Sequence, residues 1–156
     1  MDPYIPHDMH LTSILFDWGG TLYDHSTKAL FPDSKQVLEH FSKKYSLAIV
    51  SFAEDTAEMN RRFDILEKFD LRKYFQFAIF HPDKNNMYSL AMRNLNSKPE
   101  NTLVIDDYMQ RIAFLKTIGC HTAWVRRGKF SDQTPTEKTG QPDFIISSLS
   151  ELIGLI

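Results

Sequence analysis

The sequence is poor in the features that mark a specialised class of protein. One of its 156 residues is cysteine, Cys120, so no disulfide can form within the chain. No apolar run approaches the roughly 20 residues that a membrane-spanning helix needs. Neither sign of charge is in excess: 18 Lys and Arg stand against 20 Asp and Glu, a formal net charge of −2. Without a basic surplus the chain has no electrostatic case for holding nucleic acid or an anionic membrane, and neither is expected as a partner. No internal repeat is visible. His7, His10, His40 and His121 show no metal-ligand spacing. The first ten residues, MDPYIPHDMH, are polar and carry two prolines. They lack the basic end and apolar middle of a signal peptide, so residues 1–10 are read as a flexible tail and 11–156 as one domain, expected in the cytoplasm.

What is present is globular in kind, with 42% apolar and 24% charged residues. Six short apolar runs punctuate the chain: SILF (13–16), LAIV (47–50), FAIF (77–80), LVI (103–105), TAWV (122–125) and FII (144–146). They are continuous rather than alternating, as strands buried on both faces should be. Amphipathic segments lie between them. Val37, Leu38, Phe41 and Tyr45 share one helical face, and Met59, Phe63, Leu66 and Phe69 another. Met87, Leu90, Ala91 and Leu95 mark a third helix; Tyr108, Ile112 and Leu115 mark a fourth that Gly119 stops. Leu149, Leu152 and Ile153 predict a short terminal helix. The alternation predicts a doubly wound, Rossmann-like α/β fold, a parallel sheet with helices on both faces. The polar stretch 126–142 reads as a flexible connector rather than part of a site.

In such a sheet, ligands sit beyond the carboxyl ends of the strands. The first run is followed there by Asp17, the second by Ser51, the third by His81-Pro82-Asp83-Lys84 and the fourth by Asp106 and Asp107. Acids, one hydroxyl and a cation brought to one crevice suit phosphoryl chemistry with a divalent metal. Carboxylates are the hard oxygen ligands that Mg²⁺ prefers, and a hydroxyl and an ammonium can hold phosphate oxygens. Each residue alone has a plain structural role open to it: Asp106 and Asp107 could cap the fourth helix, and Ser51 could sit in a turn.

Taken in order, FDWGGTLYD, the serine ending LAIVS, Lys84 ahead of a helix, and VIDD resemble the haloacid dehalogenase superfamily, over nearly the whole chain from Leu11 to Ile156. The resemblance implies that Asp17 is the nucleophile of an Mg²⁺-dependent phosphohydrolase that passes through an aspartyl-phosphate. It implies phosphate binding by Thr21, Ser51 and Lys84. It implies metal binding by Asp17, the backbone carbonyl of Gly19, Asp107 and Asp106. The spacing from Lys84 to Tyr88 is similar to that of small magnesium-dependent phosphatases in the family, which favours Lys84 over His81 as the cation. About thirty residues separate Asp17 from Ser51, and about as many separate Ser51 from Lys84, so neither interval holds a cap domain. The implied substrates are a phosphorylated small molecule or a phosphoprotein.

Two positions depart from the pattern. Gly19 stands where the family's phosphatases usually carry an acid that protonates the leaving group, with Asp24 and His25 just downstream. Arg111 stands where many members carry a second metal-orienting acid. Both favour an alternative, a degenerate member that binds a phosphorylated ligand or partner without turnover. Phosphonate or phosphoryl-transfer chemistry is a third reading.

Overall fold

The computed structural model describes residues 9–156. Most of the tail expected over 1–10 lies outside the described residues. Of its last two residues, Met9 packs against the main core and the His10 carbonyl accepts a hydrogen bond from Asn101.

Six strands form one all-parallel sheet: β1 (Ser13–Phe16), β4 (Ser46–Ser51), β5 (Phe77–Phe80), β6 (Thr102–Asp106), β7 (His121–Val125) and β8 (Phe144–Ile146), in the order β5-β4-β1-β6-β7-β8. Two two-residue strands, β2 (Tyr23–Asp24) and β3 (Ala29–Leu30), make a separate antiparallel hairpin after β1. The helices are α1 (Ser34–Ser42), α2 (Thr56–Lys68), α3 (Lys84–Asn94) and α4 (Met109–Thr117).

The apolar runs are continuous because both sheet faces are covered. Ile14 and Phe16 point into a core that includes Val37, Leu38 and Phe41 of α1, Leu66 of α2, and Leu149 and Leu152 near the end of the chain. Leu15 between them points the other way, into a core with Tyr88, Ala91 and Met92 of α3 and Leu115 of α4. Cys120 is buried in this second core, and burial pushes its thiol up to about 12, so it behaves as a packing group.

The predicted α/β architecture is therefore present, in one domain, with local corrections. Leu90 is exposed; the buried line of α3 is Lys84, Tyr88, Ala91 and Met92, which follows the i, i+4, i+7, i+8 spacing from a lysine that apolar counting cannot see. Ile145 is exposed because β8 is an edge strand. The terminal helix is a 3-10 segment, Leu149–Gly154, started by a capping box between Ser148 and Glu151. The sequence predicts no hairpin at β2–β3, whose two-residue strands are too short for period-two alternation. Among the described residues no helix is long and apolar enough to cross a membrane.

Counting only the strands of the large sheet, the order is 3-2-1-4-5-6. The chain runs outward from β1 in one direction and then, from β6, in the other. The crevice at that reversal lies between the carboxyl ends of β1 and β6. Asp17 follows β1 directly; Asp106 ends β6 and Asp107 follows it.

Candidate active site

Asp17 is fixed first by its backbone, whose N–H donates to the Ile105 carbonyl at 3.0 Å and so continues the β1–β6 ladder. Its carboxylate is buried and accepts three hydrogen bonds from three other parts of the chain. Thr21 Oγ1 donates to Oδ2 at 3.3 Å, Ser51 Oγ donates to Oδ1 at 3.1 Å, and Lys84 Nζ donates to Oδ1 at 2.8 Å. Lys84, the first residue of α3, is only 4% exposed. It is tolerated inside because its ammonium also donates to Asp106 Oδ2 at 2.7 Å. The other oxygen of Asp106 accepts the Tyr108 N–H at 3.0 Å. Both Asp106 oxygens are thus engaged, and Asp106 serves as the anchor of Lys84 and of the chain entering α4.

Asp107 completes the group. Its carbonyl accepts from the indole Nε1 of buried Trp124 at 2.9 Å. Trp124 pairs with Asp106 across β6 and β7, so the neighbouring strand sets the direction in which Asp107 leaves the sheet. Its carboxyl lies against Gly20: a Cβ there would meet Asp107 Oδ2 at 2.1 Å, and Gly20 has φ +80°. Glycine is required at 20 by both conformation and space. Carboxylate oxygens of Asp17, Asp106 and Asp107 all lie within 4.8 Å of one another.

Three buried carboxyls beside one ammonium leave surplus negative charge, and the protonation equilibria reflect it. Burial raises Asp17, but Lys84 outweighs it and holds Asp17 below the usual range, ionised. Burial lowers Lys84, yet Asp106 and Asp17 keep it charged. Asp106 is raised by burial and by Asp17. Asp107 is pushed up to about 10 by burial and by the charges of Asp17 and Asp106. Without a counter-cation the cluster thus holds a proton on Asp107. Three hard oxygen donors and a proton to displace fit a divalent cation such as Mg²⁺.

These groups form the floor of a cavity of about 970 Å³, walled by His25, Phe52, Arg62, Arg111, Lys129 and Phe130 among others. Every site residue expected from the sequence except Thr21 lines it, and Thr21 is bonded to Asp17 just beneath. His81 does not line it; its Nδ1 accepts the Asp83 N–H at 2.9 Å within its own turn. The cation that reaches Asp17 is Lys84. Arg111 does not pair with Asp106 or Asp107. It donates through Nη1 to Asn85 Oδ1, and its Nε is buried without a partner among the described residues. Trp18 is a buried packing residue, stacked on Tyr23 with ring centroids 5.2 Å apart.

The stretch 126–142 is more than a connector. Arg127 donates to the Thr21 carbonyl and, at 2.9 Å, to Asp33 Oδ1, with its guanidinium 3.9 Å above the Phe31 ring. Gly128, at φ +76°, comes so close to Gly20 that a Cβ would lie 3.1 Å from the Gly20 Cα. Gln133 accepts the Met109 N–H at 3.0 Å, satisfying a donor at the start of α4. Gly128, Lys129 and Phe130 thereby become cavity wall, and the Phe130 ring lies 4.5 Å from that of Tyr108. The sequence signal that this stretch is anchored, Arg127 followed by Gly128, is too short to separate from an ordinary turn.

Comparison with known proteins agrees with this geometry. Residues 83–152, which span Lys84 and the Asp106–Asp107 pair, match the HAD-hydrolase-like family model. A haloacid dehalogenase-like family hydrolase from Streptococcus pneumoniae superposes with a TM-score of 0.78 at 18% identity, covering 93% of this chain and 98% of that one. L-2-haloacid dehalogenase from Xanthobacter autotrophicus gives 0.71 at 14% identity, over 93% and 98%. D,D-heptose 1,7-bisphosphate phosphatase from B. bronchiseptica, complexed with magnesium and phosphate, gives 0.72 at 14% identity, over 92% and 99%. No curated protein matches the chain significantly by sequence. The chain has the haloacid dehalogenase-like fold. More particularly, the stretch that matches the HAD-hydrolase-like family model, residues 83–152, contributes Asp106 and Asp107 to the acid cluster.

Proposed function

We propose that this chain is a Mg²⁺-dependent phosphohydrolase that carries the phosphoryl group on Asp17. The observation that supports it most is the double engagement of Lys84, which ties Asp17 to Asp106 while Ser51 and Thr21 donate to the same Asp17 carboxylate. A packing role needs no ionised acid surrounded by donors at a sheet edge. A nucleophile does.

In this reading one Asp17 oxygen attacks phosphorus, the P–O bond to the leaving group breaks, and the leaving oxygen takes a proton. Water then attacks the phosphorus of the aspartyl-phosphate, the bond to Asp17 breaks, and phosphate leaves. Ser51 and Thr21 turn their hydroxyls from Asp17 to the phosphoryl oxygens, and Lys84 offsets charge there. Asp17, Asp107, Asp106 and the Gly19 carbonyl would hold Mg²⁺, which when bound supplies positive charge to the phosphoryl oxygens. A phosphorylated small molecule and a phosphoprotein side chain both fit a cavity that no cap domain covers. The cavity's Arg62, Arg111 and Lys129 suit an anionic substrate. A cytoplasmic location belongs to the same reading and rests on the lone buried thiol.

A second reading, binding without turnover, is favoured by Gly19 and by Arg111, which stands where the pattern this sequence resembles has an acid. Phosphate release from a panel of esters with Mg²⁺, compared with Asp17→Asn, separates the two. Release that requires Mg²⁺ and disappears in Asp17→Asn supports hydrolysis. No release, or equal release from both proteins, supports binding alone.

A further inference from the structure

The aspartyl-phosphate route needs a group that gives a proton to the leaving oxygen and later takes one from water. The residues around Asp17 are largely committed elsewhere. Lys84 is held between two carboxylates, Asp106 is bonded on both oxygens, and Asp107 belongs to the cation cluster. Ser51 and Thr21 are hydroxyls already donating to Asp17. One imidazole lines the cavity, that of His25, and it makes no hydrogen bond among the described residues. The hairpin built by β2 and β3 carries it, and its ring packs edge-on against Tyr23 with centroids 5.1 Å apart. Tyr23 in turn stacks on Trp18, the residue after Asp17. The ring is thus placed by packing that leads back to the nucleophile.

Its position explains a glycine. Gly20, Gly119, Gly128 and Gly140 have positive φ; Gly19 does not. Backbone conformation therefore does not require glycine at 19. Space does: a Cβ there would meet His25 Nε2 at 2.4 Å and Cδ2 at 2.9 Å. The imidazole fills the volume that a side chain two residues after the nucleophile would occupy, with Nε2 foremost.

We propose that His25 is the catalytic proton donor and acceptor of this site, and that Gly19 is glycine to admit it. This rests on the phosphohydrolase reading. In the first step Asp17 forms its bond to phosphorus, the ester P–O bond breaks, and the leaving oxygen takes the Nε2 proton of the His25 imidazolium, which is left as neutral imidazole. In the second, water adds to phosphorus and gives a proton to Nε2, while the P–O bond to Asp17 breaks. Asp17, His25, the free alcohol and phosphate result.

The test is steady-state hydrolysis of two monoesters with Mg²⁺: an aryl phosphate, whose phenolate leaves easily, and an alkyl phosphate, whose alkoxide needs a proton. His25→Ala should slow the alkyl ester by about 10²–10⁴-fold and the aryl ester much less. Gly19→Ala should do the same by turning the ring away, and the double variant should be no worse than either single one. Gly19→Asp combined with His25→Ala should recover alkyl hydrolysis relative to His25→Ala alone. Melting curves of all four variants should match the wild type, because His25 is exposed. Equal losses on both esters, additive losses in the double variant, or full activity in His25→Ala each overturn the role of His25. Asp17→Asn is run alongside. A wild type that shows no Asp17-dependent release overturns the phosphohydrolase reading and this role with it. A wild type that is Asp17-dependent but indifferent to His25→Ala overturns the role of His25 alone.

Discussion

Both ends of the central sheet bury polar side chains, and they do so in opposite ways. At the amino end the buried groups are neutral hydroxyls, of which Thr102 and Thr122 have partners and Ser13 Oγ has none among the described residues. Thr102 Oγ1 donates to the Lys98 carbonyl at 2.8 Å and lies 2.8 Å from Ser97 Oγ; Thr122 shares Asp143 with its own backbone N–H. The first closes a turn onto β6, and the second ties β7 to the chain entering β8. At the carboxyl end the buried charged groups are Asp17, Asp106, Asp107 and Lys84, drawn from two strand ends and a helix start, with one more acid than the ammonium can balance even if Asp107 stays protonated. Polar groups at the first end hold the fold. Those at the second burden it, since burying unbalanced charge is costly unless something else binds there.

The difference can be broken most sharply at Lys84. Lys84→Met should leave Asp17 and Asp106 buried without a partner and cost about 3–5 kcal/mol at neutral pH, read by denaturant unfolding. Hydrolysis should vanish with it. A loss under about 1 kcal/mol would mean that the charges are not buried as described.

The next effect is on pH. The Asp107 carboxyl, pushed up to about 10, binds its proton more tightly folded than unfolded. Its contribution is therefore fully present below the unfolded value near 4 and is lost as pH rises toward about 10. Protein stripped with a chelator should lose stability over that window. Mg²⁺ should remove most of the slope by replacing the proton, and Asp107→Asn should flatten it without metal. A slope of the opposite sign would contradict the reading of the cluster.

The smallest effect belongs to the amino end. Thr102→Val removes one hydroxyl of a neutral network and should cost about 1 kcal/mol with hydrolysis unchanged, measured by thermal melting and phosphate release in parallel. A change in hydrolysis would show that the two ends are coupled.

The sequence made the carboxyl end legible because its logic is simple. Continuous apolar runs mark strands covered on both faces, and the residue after each run must lie at a strand end. Asp17, Ser51 and the Asp106–Asp107 pair follow from that alone, Lys84 over His81 needs the family spacing as well, and the sheet order brings them together. What stayed hidden depends on contacts between residues far apart in the chain. Trp124 orients Asp107 from the neighbouring strand, Arg127 pins 128–130 against Thr21 and Asp33, and His25 reaches back over Gly19 from a two-residue hairpin. Glycine at 19 read from sequence as a missing acid. In three dimensions it is an occupied space. Leu90 fits the apolar periodicity yet is exposed, because the inward face of α3 begins with a lysine.

The central claim is that Asp17 carries the phosphoryl group. Its most direct test is to mix the protein with Mg²⁺ and an aryl phosphate, quench in acid during turnover, and map the peptides by mass spectrometry. The account predicts one added phosphoryl group on the peptide containing Asp17, absent from Asp17→Asn and from protein without Mg²⁺. A phosphoryl group on another residue, or turnover with no modified peptide, would contradict it.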